Sequence, residues 1–272
     1  MSRAELDCLA AIAREAGRGI MGIYASDFQV DYKGPGDPVT DADRAANTLI
    51  CARLHAEFPD AAIVAEESPL EAYAGYQRRS RVFFVDPLDG TREFVAKNGQ
   101  FVVMIGLVVD AEASLGVVYA PATNTLWCGE RGVGAFRIDG QGSEHELRVG
   151  SIHAPEKARI TVSRSRRSEH LKRALDRIGP SEVTPMGSAG LKGALVAEFS
   201  VDAYLAVGQA GKYWDACAMD ALVTAAGGRV TDSRGQPLDY RSVDLELEHG
   251  LLASNPVLHQ ALVSKINDSD LE

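Results

Sequence analysis

The segment Val85-Asp86-Pro87-Leu88-Asp89-Gly90-Thr91-Arg92-Glu93-Phe94 carries the residue types best suited to chemistry in this chain. An apolar run, Val82–Val85, places Asp86 at the end of a strand, and Pro87 stiffens the turn that follows. Asp89-Gly90 turns the chain again before Thr91 opens a helix. Two carboxylates three residues apart on a rigid turn suit a hard, oxygen-seeking cation such as Mg²⁺, and the Leu88 carbonyl offers a third oxygen. The N–H groups of Gly90, Thr91 and Arg92, free at a helix N-terminus, would make an anion site for a phosphate. The simpler reading of the same stretch is an Asp at a turn followed by an N-cap.

Other acidic residues allow two readings each. Ala65-Glu66-Glu67-Ser68 closes the preceding strand. Neighbouring strand residues face opposite sides, so one of the two Glu is expected to face a given site. On its own such a pair reads first as solvated surface. Tyr213-Trp214-Asp215 opens a helix of the second half, where Asp215 is either an N-terminal cap or an oxygen ligand. Asp43, three residues after Thr40, reads first as the acid of a capping-box arrangement. Lys192 reads alone as a solvated residue at the start of a helix. Arg164, Arg166 and Arg167 form a basic cluster in an acidic chain, either a solvated face or a lip attracting an anionic substrate. His170 reads as surface.

The elements that must position these groups follow from periodicity. Leu6, Leu9, Ala10, Ala13, Gly17 and Ile20 recur at helical spacing, and a second helix follows Thr40 with Ala46, Leu49, Ile50, Leu54 and Phe58 on its apolar face. Between them Gly34-Pro35-Gly36-Asp37-Pro38 reads as a loop. Strands are expected at 61–65, 82–85, 101–109, 115–119 and 133–138, the later ones joined by short turns as in an antiparallel meander. After about residue 150 strands and helices alternate. Strands are expected at 160–163, near Val183, and at 201–207, 229–231 and 251–253. Helices are expected at 168–178, 189–198 and 214–226, with a last one opening at Pro256. The chain therefore divides into an N-terminal α+β half, 1–150, with an antiparallel sheet, and a C-terminal α/β half, 151–272, the two sharing an interface of the kind that commonly holds a site. The boundary falls at 150–155.

Composition narrows the function classes. With 272 residues, 46% hydrophobic and 24% charged, the chain has globular composition and the length for one large or two joined domains. A balance of 28 basic against 38 acidic residues, net −10, argues against a nucleic-acid polymer or an anionic membrane as partner. A small anionic ligand stays open, because bound divalent cations reverse the local sign. The longest apolar run, 101–109, is nine residues, against about 20 for a membrane span. Cys8, Cys51, Cys128 and Cys217 form no C-x-x-C pair, and the N-terminus lacks a signal-peptide pattern, so a cytoplasmic location is expected.

The order D-P-V-T-x-x-D (37–43), A-E-E-S (65–68), D-P-L-D-G-T (86–91) and W-D (214–215) resembles the inositol monophosphatase superfamily of Mg²⁺-dependent, lithium-sensitive phosphomonoesterases. Within it the chain is most similar to the CysQ-type 3′(2′),5′-bisphosphate nucleotidases. That likeness rests on residues 86–94 running into Lys97-Asn98-Gly99-Gln100-Phe101, and on the stretches 116–121, 162–165, 187–192 and 201–205. The resemblance implies an α/β fold, a layered αβαβα sandwich. It also implies hydrolysis of the 3′-phosphate of 3′-phosphoadenosine 5′-phosphate (PAP), a by-product of sulfate assimilation, and of the related phosphosulfate. An inositol-1-phosphate or broad sugar-phosphate phosphatase is the alternative, and a catalytically silent nucleotide or metal sensor a third reading.

By the same resemblance two or three Mg²⁺ ions are held by Glu66, Asp86, the Leu88 carbonyl, Asp89 and Asp215, with Asp86 bridging two of them. Gly90 and Thr91 hold the phosphate, Asp43 accepts from the Thr91 hydroxyl, and Ser188, Lys192 and Asp215 face the substrate. The implied nucleophile is a metal-activated water served by Glu66 and the Thr91–Asp43 pair. Lithium inhibition and a homodimer are expected on the same ground. The chain departs from the pattern at Ala65, where Gly is usual, and at Cys217-Ala218-Met219-Asp220, where small residues are usual. Neither departure removes a ligand.

Overall fold

The computed structural model describes residues 3–34 and 37–267. Among them are seven α-helices: α1 (Arg3–Tyr24), α2 (Asp41–Glu57), α3 (Thr91–Val95), α4 (Glu169–Ile178), α5 (Ala189–Ala197), α6 (Tyr213–Ala225) and α7 (Pro256–Asn267). A hairpin, β1 (Val30–Gly34) with β2 (Asp37–Thr40), stands apart from two larger sheets. The first is built from β3 (Ala62–Ala65), β4 (Arg81–Asp89), β5 (Val102–Val109), β6 (Glu112–Ala120), β7 (Thr125–Glu130), β8 (Gly134–Ile138) and β9 (Glu144–Leu147), in chain order. Apart from the parallel β3–β4 pair, it is an antiparallel meander. The second sheet contains β10 (Arg159–Ser163), β11 (Glu182–Met186), β12 (Ala203–Ala206), β13 (Arg229–Thr231) and β14 (Leu251–Ser254), ordered β11-β10-β12-β14-β13.

Side-chain alternation along the strands fixes how these layers stack. In β4, Phe83 and Val85 join the core under α1 and α2, whereas Val82 and Phe84 join the core shared with α5 and α6. In β12, Tyr204 faces α5 and α6, while Ala203 and Leu205 face the core under α4 and α7. The order is therefore helices α1 and α2, the seven-stranded sheet, α5 and α6, the five-stranded sheet, then α4 and α7: the αβαβα sandwich. Because α5 and α6 are covered by a sheet on each side, α6 is apolar nearly all round.

Several local expectations change. The segment expected as a loop at 34–38 lies partly in the β1–β2 hairpin, where Gly34 pairs with Asp37, and residues 35 and 36 lie outside the described set. Pro38 is tolerated there because a two-stranded ribbon is all edge. Strands β7 and β9 had no clear sequence signal: β7 (TLWCGE) is buried at every position and so lacks alternation. All four cysteines are free thiols. Among the described residues no helix is long and apolar enough to cross a membrane.

What sets the depth of α6 against the large sheet is a row of glycines. Gly106 pairs with Gly116 and Gly116 with Gly129 across β5, β6 and β7, leaving a bare track on the face toward α6. A Cβ at Gly116 would lie 2.0 Å from the Ala218 carbonyl oxygen, and one at Gly106 2.6 Å from the Ala218 nitrogen. The obstacle is helix backbone, which cannot swing aside. Gly116→Ala should lower stability by about 1–3 kcal/mol through overpacking, and a thermal unfolding midpoint within a degree of wild type would contradict this.

Candidate metal and phosphate site

The bend after β4 is local chemistry. Pairing with β5 runs in register from Arg81–Val109 to Asp86–Met104, then slips before Asp89 meets Val102. Pro87 sits at the slip, where its missing N–H leaves the ladder without a donor. The Leu88 N–H donates instead to Asp86 Oδ1 at 3.0 Å, closing a side-chain turn. Gly90 follows at φ +101, and a Cβ there would lie 2.7 Å from the Gln100 carbonyl oxygen, so only glycine fits. Thr91 then opens α3, which is only five residues long.

This bend and the first turn of α6 bring three acids from distant parts of the chain together. Carboxylate oxygens of Asp86, Asp89 and Asp215 all lie within 4.8 Å of one another. Asp86 and Asp89 are buried, at 2% and 7% exposure. Burial, reinforced by repulsion from Glu66, Asp89 and Asp215, pushes the Asp86 carboxyl well above the usual carboxylate range. Burial, with Asp89 and Glu66 adding, pushes Asp215 up to about 7. Like charges this close and this dry need a compensating cation to stay ionised. The donors are all oxygen, so the set fits a hard divalent ion.

Asp215 has both of the roles open to it. Its Oδ2 accepts from the Lys212 N–H at 2.6 Å, as a helix-start cap would, while the carboxylate stands in the acidic trio. Asp43 is likewise doubly used. Its Oδ2 accepts from the Thr40 N–H at 2.8 Å and hydroxyl at 2.6 Å, completing the capping box, and its Oδ1 accepts from the Thr91 hydroxyl at 2.9 Å. The Thr91 oxygen also lies 3.2 Å from the Leu88 carbonyl. Burial raises the Asp43 carboxyl, against the downward pull of its hydrogen bonds to Thr40 and Thr91.

Glu66 lines the same cleft, whereas Glu67 does not. The strand ends at Ala65, so the two acids lie in a turn, and both reach one cation from the hairpin. Lys33 Nζ is 2.8 Å from Glu66 Oε1 and 2.5 Å from Glu67 Oε1. Lys33 escaped the sequence reading because a lone lysine before a glycine turn carries no pattern; only the hairpin's placement reveals it.

The opposite wall comes from the start of α5. Ser188 adopts φ +57, a left-handed value unusual for a residue with a side chain. Its hydroxyl donates to Asp89 Oδ2 at 2.6 Å and accepts from the Leu191 N–H at 3.0 Å, and the Gly190 N–H donates to the same Asp89 oxygen at 2.7 Å. Gly187 N–H is held by Gln100 Oε1 at 3.1 Å. The solvated reading of Lys192 is overturned: it is 3% exposed, because α5 lies between the sheets. Its ammonium donates to the Ser188 carbonyl and stands 4.9 Å from the Tyr204 ring centre, and burial lowers it to about 8. Of the arginine cluster, Arg164 pairs with Glu93 at 3.8 Å, Arg166 lines the cleft, and Arg167 and His170 are exposed outside it.

The two departures after Asp215 have separate destinations. Met219 fills the contact with α5 at Gly193. Asp220 faces away from the trio and accepts from the Tyr240 hydroxyl at 2.9 Å and the Thr224 hydroxyl at 3.1 Å.

An αβαβα sandwich whose two sheets close on an oxygen-only acidic cleft, with a Thr–Asp pair beside it, defines a class of phosphate-ester hydrolases built around divalent cations. The chain belongs to the inositol monophosphatase family, which it matches over residues 3–271. It is 37% identical to the 3′(2′),5′-bisphosphate nucleotidase CysQ of Escherichia coli O157:H7 over 251 residues, covering 92% of this chain and 99% of that one. The extragenic suppressor protein suhB of Bartonella henselae superposes with TM-score 0.84 at 28% identity, over 98% of this chain and 99% of that one. CysQ of Bacteroides thetaiotaomicron, a bacterial member of the family, superposes with TM-score 0.78 at 28% identity, over 93% and 97%.

The Asp220 network gives a pH signature apart from the cleft. Burial raises this carboxyl to about 6, above its unfolded value, so the folded protein holds the proton more tightly. Its stabilising contribution is complete below about pH 4 and is lost as pH rises toward 6. Asp220→Asn should therefore flatten the fall in unfolding midpoint between pH 4 and 6; parallel profiles for variant and wild type would contradict the assignment.

Proposed function

We propose that the chain is a Mg²⁺-dependent 3′(2′),5′-bisphosphate nucleotidase that removes the 3′-phosphate of PAP, giving AMP and phosphate. The observation that carries this is the trio Asp86, Asp89 and Asp215 beside the Thr91–Asp43 pair, in a chain 37% identical to a 3′(2′),5′-bisphosphate nucleotidase. Glu66, Asp86, the Leu88 carbonyl, Asp89 and Asp215 would hold the cations. When bound, such ions neutralise charge on the phosphoryl group and lower the pKa of water. This matters because phosphate-monoester hydrolysis is among the slowest uncatalysed reactions.

The protein's own part is to orient and to move a proton. Asp43, pinned by Thr40, fixes the Thr91 hydroxyl at the cleft wall. The Thr91 oxygen takes a proton from the attacking water as its own hydrogen passes to Asp43, whose burial favours receiving it. Glu66 helps to orient that water. Gly90 and Thr91 seat the scissile phosphate, and Ser188 and Lys192 form the nucleotide side of the cleft. We place the functional division at residue 150, with the site between the halves, and a cytoplasmic location is supported by the four free thiols. The second reading, a phosphatase of inositol 1-phosphate or other sugar phosphates, draws on the family match and uses the same carboxylates.

Phosphate release with Mg²⁺ from PAP and inositol 1-phosphate, each with and without Li⁺, separates the two. Preference for PAP with lithium inhibition is expected, and preference for inositol 1-phosphate would replace the nucleotidase reading. Asp89→Asn should keep the fold and lower kcat by about two orders of magnitude or more, since it removes a charge that would hold the cations acting on the reacting phosphate. Turnover near wild type would remove Asp89 from the metal set.

A further inference from the structure

A bisphosphate substrate needs a group for the phosphate that is not cut, and the rim of the cleft supplies one. Arg166 lines the cleft beside Ser163 and Ser165, where the chain leaves β10 for α4. Its backbone N–H is tied to Ser163 Oγ at 3.2 Å, which anchors its position on the rim. Its Nη1 lies 3.0 Å from where a Gly211 Cβ would stand, and Asp215 Oδ2 lies 2.4 Å from the same point. The guanidinium thus reaches the first turn of α6, next to the acidic trio. Among the described residues its side chain makes no hydrogen bond or ion pair.

The other cations of this wall are committed. Arg164 pairs with Glu93, and the Lys192 ammonium spends a proton on the Ser188 carbonyl inside the protein. Lys192 therefore contributes charge from beneath, whereas Arg166 keeps its planar set of donors for a ligand.

We propose that Arg166 is a specificity-determining residue, binding the non-scissile phosphate of a nucleoside bisphosphate from the cleft rim. The proposal rests on the nucleotidase reading and adds to it the residue that distinguishes two phosphates from one. A guanidinium pairs with phosphate oxygens through two parallel charge-assisted hydrogen bonds, which a monophosphate bound only by its scissile group cannot use.

The test compares wild type, Arg166→Gln and Arg166→Lys, all with Mg²⁺, on PAP and on adenosine 3′-monophosphate. Arg166 is exposed, so the thermal midpoint of both variants should stay near wild type. The Gln variant should lose roughly tenfold or more in kcat/KM for PAP, mainly through KM, with a several-fold smaller loss for the monophosphate. The Lys variant should recover part of the loss. Equal losses on both substrates, or a loss confined to kcat, would overturn the proposal and assign Arg166 to balancing the carboxylates. If wild type prefers PAP to inositol 1-phosphate but the Gln variant keeps its PAP-to-monophosphate ratio, only this proposal falls. If wild type shows no preference for PAP, the nucleotidase reading falls and takes this one with it.

Discussion

The close seat of α6 on the large sheet is the constraint from which the site follows. Asp86 and Asp89 sit on a strand of the first sheet, and Asp215 on a helix that begins more than a hundred residues later. They meet because Gly106, Gly116 and Gly129 present no side chain where α6 crosses β5, β6 and β7, so that the helix backbone comes down onto the sheet. Close packing makes this depth rigid, since α6 is pressed from the other side by the second sheet. The three carboxylates are thereby held at a spacing they would not choose.

That spacing is electrostatically costly, and the surrounding contacts show how the fold bears it. Asp89 Oδ2 is satisfied by Ser188 and Gly190, Asp215 Oδ2 by the Lys212 N–H, and Asp86 Oδ1 by the Leu88 N–H. Each acid is fixed by neutral donors that orient an oxygen without cancelling its charge. Full positive charges around the cleft stand to one side, among them Lys33 on Glu66 and Glu67, Lys192 beneath Ser188 and Arg166 at the rim. The centre itself is left negative, and a divalent cation is what such a centre selects.

The same economy appears in the doubly used residues. Asp43 caps α2 and holds the Thr91 hydroxyl; Asp215 caps α6 and joins the acidic trio; Ser188 caps α5 and holds Asp89. Three helix starts thus point into one cleft, and the hydrogen bonds that begin those helices also aim its functional groups. A cap and a functional group were alternative readings of Asp43 and Asp215 in the sequence. In the fold each carboxylate fills both roles: Asp43 caps through Oδ2 and holds Thr91 through Oδ1, and Asp215 caps α6 from within the trio.

Much of this was legible from residue order. The Asp-Pro-Leu-Asp-Gly-Thr bend is set by local sterics, because Pro87 lacks an N–H and Gly90 must take a positive φ; the helices and most strands follow from apolar spacing, which is also local. Strand β7 was hidden because burial on both faces erases alternation, and the strands around 34–38 because turn residues mask a short ribbon. What only the tertiary structure decided lies between segments far apart in the chain. Lys33 meets Glu66 only through the placement of a hairpin, Lys192 is buried rather than solvated only because a second sheet covers α5, and Arg166 rather than Arg164 is left unpaired only because Glu93 stands opposite its neighbour. Sequence fixes what each residue offers and the shape of its own turn, but partners, burial and residual charge depend on which distant backbones are packed against it.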